Sequence, residues 1–157
     1  QNVLVGMHGK LNGSIVWAIF RNQTHKKEEL VAREKARELL SFVGLNEFED
    51  SCSGSLPYGH QRRLEIARAL ASSPTLLLLD EPAAGLNPSE SQELMELIRN
   101  IRERGVTVML IEHHMKVVMG VSDRVVVLDY GEKIAEGTPE EIKGNKRVVE
   151  AYLGTSQ

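Results

Sequence analysis

The chain has 157 residues, with 22 acidic against 19 basic side chains and a net charge of −3, a balance that gives no electrostatic case for binding nucleic acid or an anionic membrane. Its single cysteine, Cys52, excludes an internal disulfide, as expected in a reducing compartment, and is expected to be a small packed residue rather than a reactive one. No apolar run approaches the length of a bilayer span, and nothing resembles a signal peptide, an internal repeat or a low-complexity segment.

Residues up to about Ser73 read as mostly helical. The stretch Asn12–Gln23 carries Ile15, Val16, Trp17, Ile19 and Phe20 between polar flanks, and either belongs to a small helical core or faces a partner. His8 and His25 have no companion at metal-ligand spacing and are expected to be solvated. Glu28–Val43 places Leu30, Ala36, Leu39, Leu40 and Val43 on a helical period, with Gly44 as its C-cap. A Gly-containing turn, Leu56-Pro57-Tyr58-Gly59-His60, then opens a helix with apolar positions at Leu64, Ala67 and Leu70 and a basic cluster in its first turns.

From Thr75 onward strands alternate with helices, the mark of βαβ units. Leu76–Leu79 leaves no polar face and is expected to be a strand buried on both sides, as in a parallel sheet covered by helices. Ser89 and Gln92 form a capping box after Pro88. Leu94, Leu97, Ile98 and Ile101 follow at i, i+3, i+4 and i+7, and Gly105 ends that helix. Val106–Ile111 is a second apolar strand that delivers Glu112, His113 and His114 to its end. Arg124–Leu128 and Lys133–Glu136 make a hairpin about Asp129-Tyr130-Gly131-Glu132. Thr138-Pro139-Glu140-Glu141 is another capping box with Pro at N1, and Lys146–Leu153 a last helix with Val148, Val149, Tyr152 and Leu153 available for packing.

The chemistry lies at three of these junctions. Asp80 and Glu81 end an apolar strand where open α/β sheets place their ligands. Asp80 fits the carboxylate that holds Mg²⁺ against phosphates, and Glu81 could accept a proton from an attacking water. The helix opened by Leu56–His60 presents free N–H groups and a positive dipole end to an anion. A phosphate-binding loop of the form G-x-x-x-x-G-K-[ST] is not met by Gly9-Lys10, where Gly6 stands too close and Leu11 replaces the hydroxyl residue.

These motifs, in this order, resemble the nucleotide-binding subunit of ABC transporters. Leu56–His60 sits at the signature motif, Leu76–Glu81 at Walker B, Ala84-Gly85-Leu86-Asn87 at the D-loop and His113 at the switch histidine. The wording "LPYGHQRRLEIARAL", "DEPAAGLNP", "LIEHHMKVVMGVSDRV" and "GTPEEIKGNKRVVEAYLG" is similar to the ATPase of branched-chain amino-acid importers, over about Ala32 to Gly154 and the opening "NVLVG". The lipopolysaccharide-export ATPase is a looser relative. The resemblance implies a P-loop NTPase-like α/β fold, a parallel sheet with helices preceded by a helical subdomain, whose amino-terminal part, with the P-loop and Q-loop, precedes this chain. It implies a helical subdomain over 1–73, an α/β part over 74–137 and a helical tail over 138–157.

The mechanism that the resemblance implies is a head-to-tail dimer with ATP between the P-loop of one subunit and the signature turn of the other. Asp80 would hold Mg²⁺ through water, Glu81 would polarise the attacking water, and His113 would contact the γ-phosphate. Leu56, Pro57, Tyr58, Gly59 and His60 would serve the signature in trans, with N–H groups around Tyr58, Gly59 and His60 donated to the nucleotide. Ala84, Gly85, Leu86 and Asn87 would cross the interface. Partners would be a second ATPase subunit, transmembrane permease subunits and, indirectly, a solute-binding protein, placing the subunit on the cytoplasmic face of the membrane. Five residues depart from common family wording: Pro57 and Tyr58 for Ser and Gly, His60 for Gln, Asn87 for Asp, and His114 where Asp is frequent. A non-catalytic remnant that acts through partner binding is the other class of function left open.

Overall fold

The computed structural model describes residues 1–7 and 23–153. His8, the Gly9-Lys10 pair, Asn12–Arg21 and the side chain of His25 lie outside the described residues. Two units are distinguished: Gln1–Leu79 with Asn100–Met109, and Asp80–Arg99 with Leu110–Gln157.

The first unit holds α1 (Asn2–Gly6), α2 (Gln23–Phe42) and α3 (Tyr58–Leu70). Ala32, Ala36, Leu39 and Val43 recur at helical spacing and are buried, so α2 offers one narrow apolar stripe. Leu30 was expected on that stripe but is 60% exposed. At about 100° per residue it falls on the opposite side of the helix from Leu39. The helix ends as a Schellman motif, with Leu45 N–H donating to Leu40 O (2.7 Å) and Gly44 N–H to Ser41 O (3.0 Å). Gly44 has φ +73°, the left-handed conformation this cap requires. Arg63 of α3 donates to Val43 O (3.4 Å), bringing a cation to the negative end of α2. In α3 the buried side is Ile66, Ala67 and Leu70, with Leu64 half-buried.

Cys52 is exposed, against expectation. It lies between the 3₁₀ turns Asn46–Phe48 and Ser53–Ser55, where its carbonyl accepts from Ser55 N–H (3.0 Å) and Ser55 Oγ (2.8 Å).

Strand β1 (Leu76–Asp80) pairs with β2 (Thr107–Ile111). Thr107 N–H donates to Thr75 O (2.9 Å) and Glu81 N–H to Ile111 O (2.8 Å), an ascending pattern that makes the pair parallel. Burial on both sides of β1 is not found. Leu77 is buried, whereas Leu76 and Leu78 are 50% and 65% exposed. Successive strand residues face opposite ways, and among the described residues only the Leu77 face is covered.

Helix α4 (Pro88–Glu103), whose residues up to Arg99 belong to the second unit, begins one residue before the expected cap. Asn87 is the N-cap instead of Ser89: Glu90 N–H donates to Asn87 Oδ1 and Asn87 N–H to Glu90 Oε2, each at 2.9 Å. Pro88 takes N1, where its missing N–H is no loss. Leu94, Leu97, Ile98 and Ile101 of this helix are buried as their spacing predicts. After α5 (Met115–Val121), β3 (Val125–Asp129) and β4 (Glu132–Gly137) form the antiparallel hairpin. Tyr130 (φ +47°) and Gly131 (φ +82°) supply the two left-handed residues of a type I′ turn. Val125 and Val127 meet Ile142 of α6 (Pro139–Lys143) and Val148 of α7 (Lys146–Leu153) in one small core. Val149 and Tyr152, expected to pack, are 41% and 48% exposed, because α7 turns only the Val148 line inward.

The Thr138 box is complete. Glu141 accepts from Thr138 N–H (2.7 Å) and Oγ1 (3.1 Å), and these bonds hold its carboxyl below the usual carboxylate range. A carboxylate depressed in the folded state stabilises above its unfolded pKa and loses that contribution as pH falls through the folded value. Thermal unfolding of wild type and Glu141→Gln should therefore differ at neutral pH, with the variant less stable. The gap should close as the pH falls through the folded-state pKa of Glu141. A gap that widens with acid would contradict this account.

Candidate functional site

β1 carries its apolar residues to Asp80 and stops at Glu81, which adopts φ +44°. The bend is fixed from both sides: Glu81 N–H donates to Ile111 O (2.8 Å), and Ala84 N–H to Glu81 O (3.1 Å), closing a turn. Both carboxylates remain exposed. Glu81 Oε1 lies 3.3 Å from His113 Nδ1, so a proton on that nitrogen faces the carboxylate and Nε2 is left for another group. A carboxylate and a histidine from separate strand ends thus meet. The His114 ring lies tilted against His113, with centroids 4.8 Å apart.

A further residue of this site carried no assigned role in the sequence. The Glu112 side chain is fully buried and accepts three backbone N–H groups: Ala83 on Oε1 (3.0 Å), His113 (2.9 Å) and His114 (3.0 Å) on Oε2. Bonds to an ionised acceptor are about twice as strong as neutral ones, and three of them offset the loss of hydration. An acidic residue directly between an apolar strand and a candidate histidine was the only local cue.

The turn then runs through Ala84, Gly85 and Leu86, with Leu86 N–H donating to Ala83 O (3.2 Å), into the Asn87–Glu90 cap. The Asn87 side chain, expected to cross an interface, is engaged at the amino end of α4.

In the first unit, Pro57 is the N-cap of α3, and its carbonyl accepts from His60 N–H and Gln61 N–H (3.0 Å each). His60 N–H is thereby occupied, while Tyr58 and Gly59 N–H groups come too early in the helix to have a carbonyl one turn back. Gln61 Nε2 returns to Leu56 O (2.8 Å) and tightens the turn. Tyr58 Oη accepts from Arg62 Nη2 (2.6 Å) and Nε (3.0 Å), and the His60 ring packs on Phe48 with centroids 5.0 Å apart.

For a divalent cation the donors are hard oxygens. Among the described residues no cluster of three or more metal-ligating side chains exists. Mg²⁺ is usually held by one or two carboxylates, with water and substrate phosphates completing its shell, and the exposed Asp80 fits that demand.

Comparison with known proteins gives the following. A family model described as ABC transporter matches residues 8–84, and one described as branched-chain amino acid ATP-binding cassette transporter matches residues 132–156. The high-affinity branched-chain amino acid transport ATP-binding protein BraF of Pseudomonas aeruginosa is 48% identical over 155 residues, 98% of this chain and 61% of that protein. The lipopolysaccharide export system ATP-binding protein LptB of Acidithiobacillus ferridurans is 40% identical over 122 residues, 78% of this chain and 51% of the relative. Among solved structures, the ADP conformation of MJ1267, an ATP-binding cassette of an ABC transporter, superposes with a TM-score of 0.78 at 29% identity, covering 98% of this chain and 61% of that one. The chain therefore spans about three-fifths of the length of BraF.

Truncating Asn87 removes one half of the reciprocal cap. Asn87→Ala should destabilise the fold by about 1 kcal/mol, read from denaturant midpoints at unchanged slope. No loss of stability would mean that Ser89 or water replaces the cap.

Proposed function

The chain belongs to the ABC transporter ATP-binding family, and from that premise we propose that it is part of an ATP-hydrolysing subunit that energises import of branched-chain amino acids. The observation that carries the catalytic reading is the pairing of Glu81 with His113 Nδ1 at 3.3 Å, one residue beyond Asp80. The importer is favoured over lipopolysaccharide export by the higher identity and wider coverage of BraF and by the match over residues 132–156.

In this reading Glu81 takes the proton of the attacking water, and His113, oriented through Nδ1, offers Nε2 to the γ-phosphate. Asp80 would hold Mg²⁺ through water, and the bound ion would neutralise charge on the phosphates. Leu56–His60 addresses the nucleotide of a second subunit, with the free N–H groups of Tyr58 and Gly59 as its donors, and Ala84–Asn87 lies at the contact between the two. Residues 1–73, 74–137 and 138–157 act as helical subdomain, catalytic part and tail. The phosphate cradle is supplied by a segment outside these 157 residues. Among the described residues no helix is long and apolar enough to cross a membrane. In this reading permease subunits hold the subunit at the inner face of the membrane, and a solute-binding protein selects the cargo.

Glu81→Gln, in a protein that unites this chain with a phosphate-binding segment, should lower turnover by ~10²–10⁴ and spare ATP binding, because Gln keeps the size without the proton affinity. Steady-state hydrolysis and nucleotide affinity are measured together. Wild-type turnover in the variant would remove Glu81 from this role, and an inactive wild type would overturn the ATPase reading.

A further inference from the structure

We propose that Glu112 is a positioning residue that locks the turn after β1 to the loop after β2 and so holds Glu81 and His113 in one geometry. Its consequence for turnover rests on the ATPase reading above; the lock itself does not.

The carboxylate joins two segments far apart in sequence. Oε1 takes the N–H of Ala83, and Oε2 takes two consecutive N–H groups, His113 and His114. Ala83 is fully buried, so its N–H has no water to turn to if the acceptor is lost. Two adjacent amides converging on one oxygen fix the direction in which the chain leaves β2, and with it the starting point of the His113 side chain. Two residues before Ala83, Glu81 N–H is already tied to Ile111 O at 2.8 Å. Both ends of the Glu81–Ala83 segment are therefore anchored to the residues just before His113.

No neutral side chain of the same size can replace this acceptor. Gln offers one oxygen, and its amide group would point N–H toward N–H at the other end. Either Ala83 or the His113–His114 pair must go unbonded.

Amide hydrogen exchange by NMR tests the lock directly. In the wild type, the amides of Ala83, His113 and His114 should exchange slowly, although both histidine side chains are exposed. In Glu112→Gln at least one of the three should exchange about tenfold faster or more, the scale set by loss of a hydrogen bond to a charged group. The amides of Leu94 and Ile98 in α4 should keep their rates, which separates a released loop from a loosened fold. In the protein united with a phosphate-binding segment, kcat should fall by about tenfold or more with KM for ATP unchanged, the mark of an interaction that matters in the transition state. Unprotected amides in the wild type overturn the proposal even if the variant does not fold. So do unchanged exchange rates in Glu112→Gln, or a raised KM at unchanged kcat. A wild type without turnover counts against the ATPase reading, and exchange alone then decides on Glu112.

Discussion

The site depends on the parallel register of β1 and β2. Side chains alternate along a strand, so a slip of one residue would exchange the faces of Asp80 and Glu81 and carry His113 away from both. The rung from Glu81 N–H to Ile111 O fixes that register where it matters. Beyond it Glu81 stands at φ +44°, a left-handed conformation that costs a non-glycine residue about 1–2 kcal/mol. The neighbouring bonds outweigh that cost. Glu81 gives its N–H to Ile111, its carbonyl takes Ala84, and Ala83 is held by Glu112. The bend turns the Glu81 carboxylate out of the strand direction toward His113.

Features set by local chemistry were legible in the sequence. The Thr138 box, the two-residue hairpin and the Gly44 terminus each follow from a few adjacent residues whose physics is complete within the turn. Features set by a distant surface were not. Leu30, Leu76 and Leu78 are as apolar as their buried neighbours, and only the layer facing them decides their exposure. Cys52 and Leu45 each precede a 3₁₀ turn, yet Cys52 is exposed and Leu45 buried, so neither residue type nor turn position alone sets burial. The cap of α4 shows two local signals in competition. Ser89-x-x-Gln92 and Asn87-x-x-Glu90 overlap, and Pro88 decides for the second by its suitability at N1. For the site, the strand-end carboxylates and His113 were visible as motifs. Glu112 was not, because its first ligand, Ala83, lies 29 residues away.

The departures at the signature turn have local explanations in the first unit. Tyr58 gains Arg62 as a partner for its hydroxyl and its ring, the guanidinium carbon lying 5.0 Å from the ring centroid. The His60 ring is taken up by Phe48. Neither side chain is needed to present an anion with donors, because the amides of Tyr58 and Gly59 are unused by virtue of position in the helix. Side-chain identity at 58 and 60 thus bears on the packing of α3, and the backbone donors of the proposed signature turn do not depend on it.

Charge gives the last constraint. Asp80, Glu81, Glu90 and Glu112 all belong to the second unit, and each carboxylate left uncompensated repels an anionic ligand. The structure deals with them differently. Glu112 is surrounded by three N–H donors, and Glu90 sits at the amino end of α4, where the helix dipole favours a negative charge. Asn87 gives α4 its cap without adding a further carboxylate beside Glu90, which an aspartate there would do. What remains is Asp80 and Glu81, both exposed, with His113 beside the second. In the proposed reading such a site admits a polyanion together with a cation, and Asp80, unlike Glu81, has no histidine beside it among the described residues to compete for that cation.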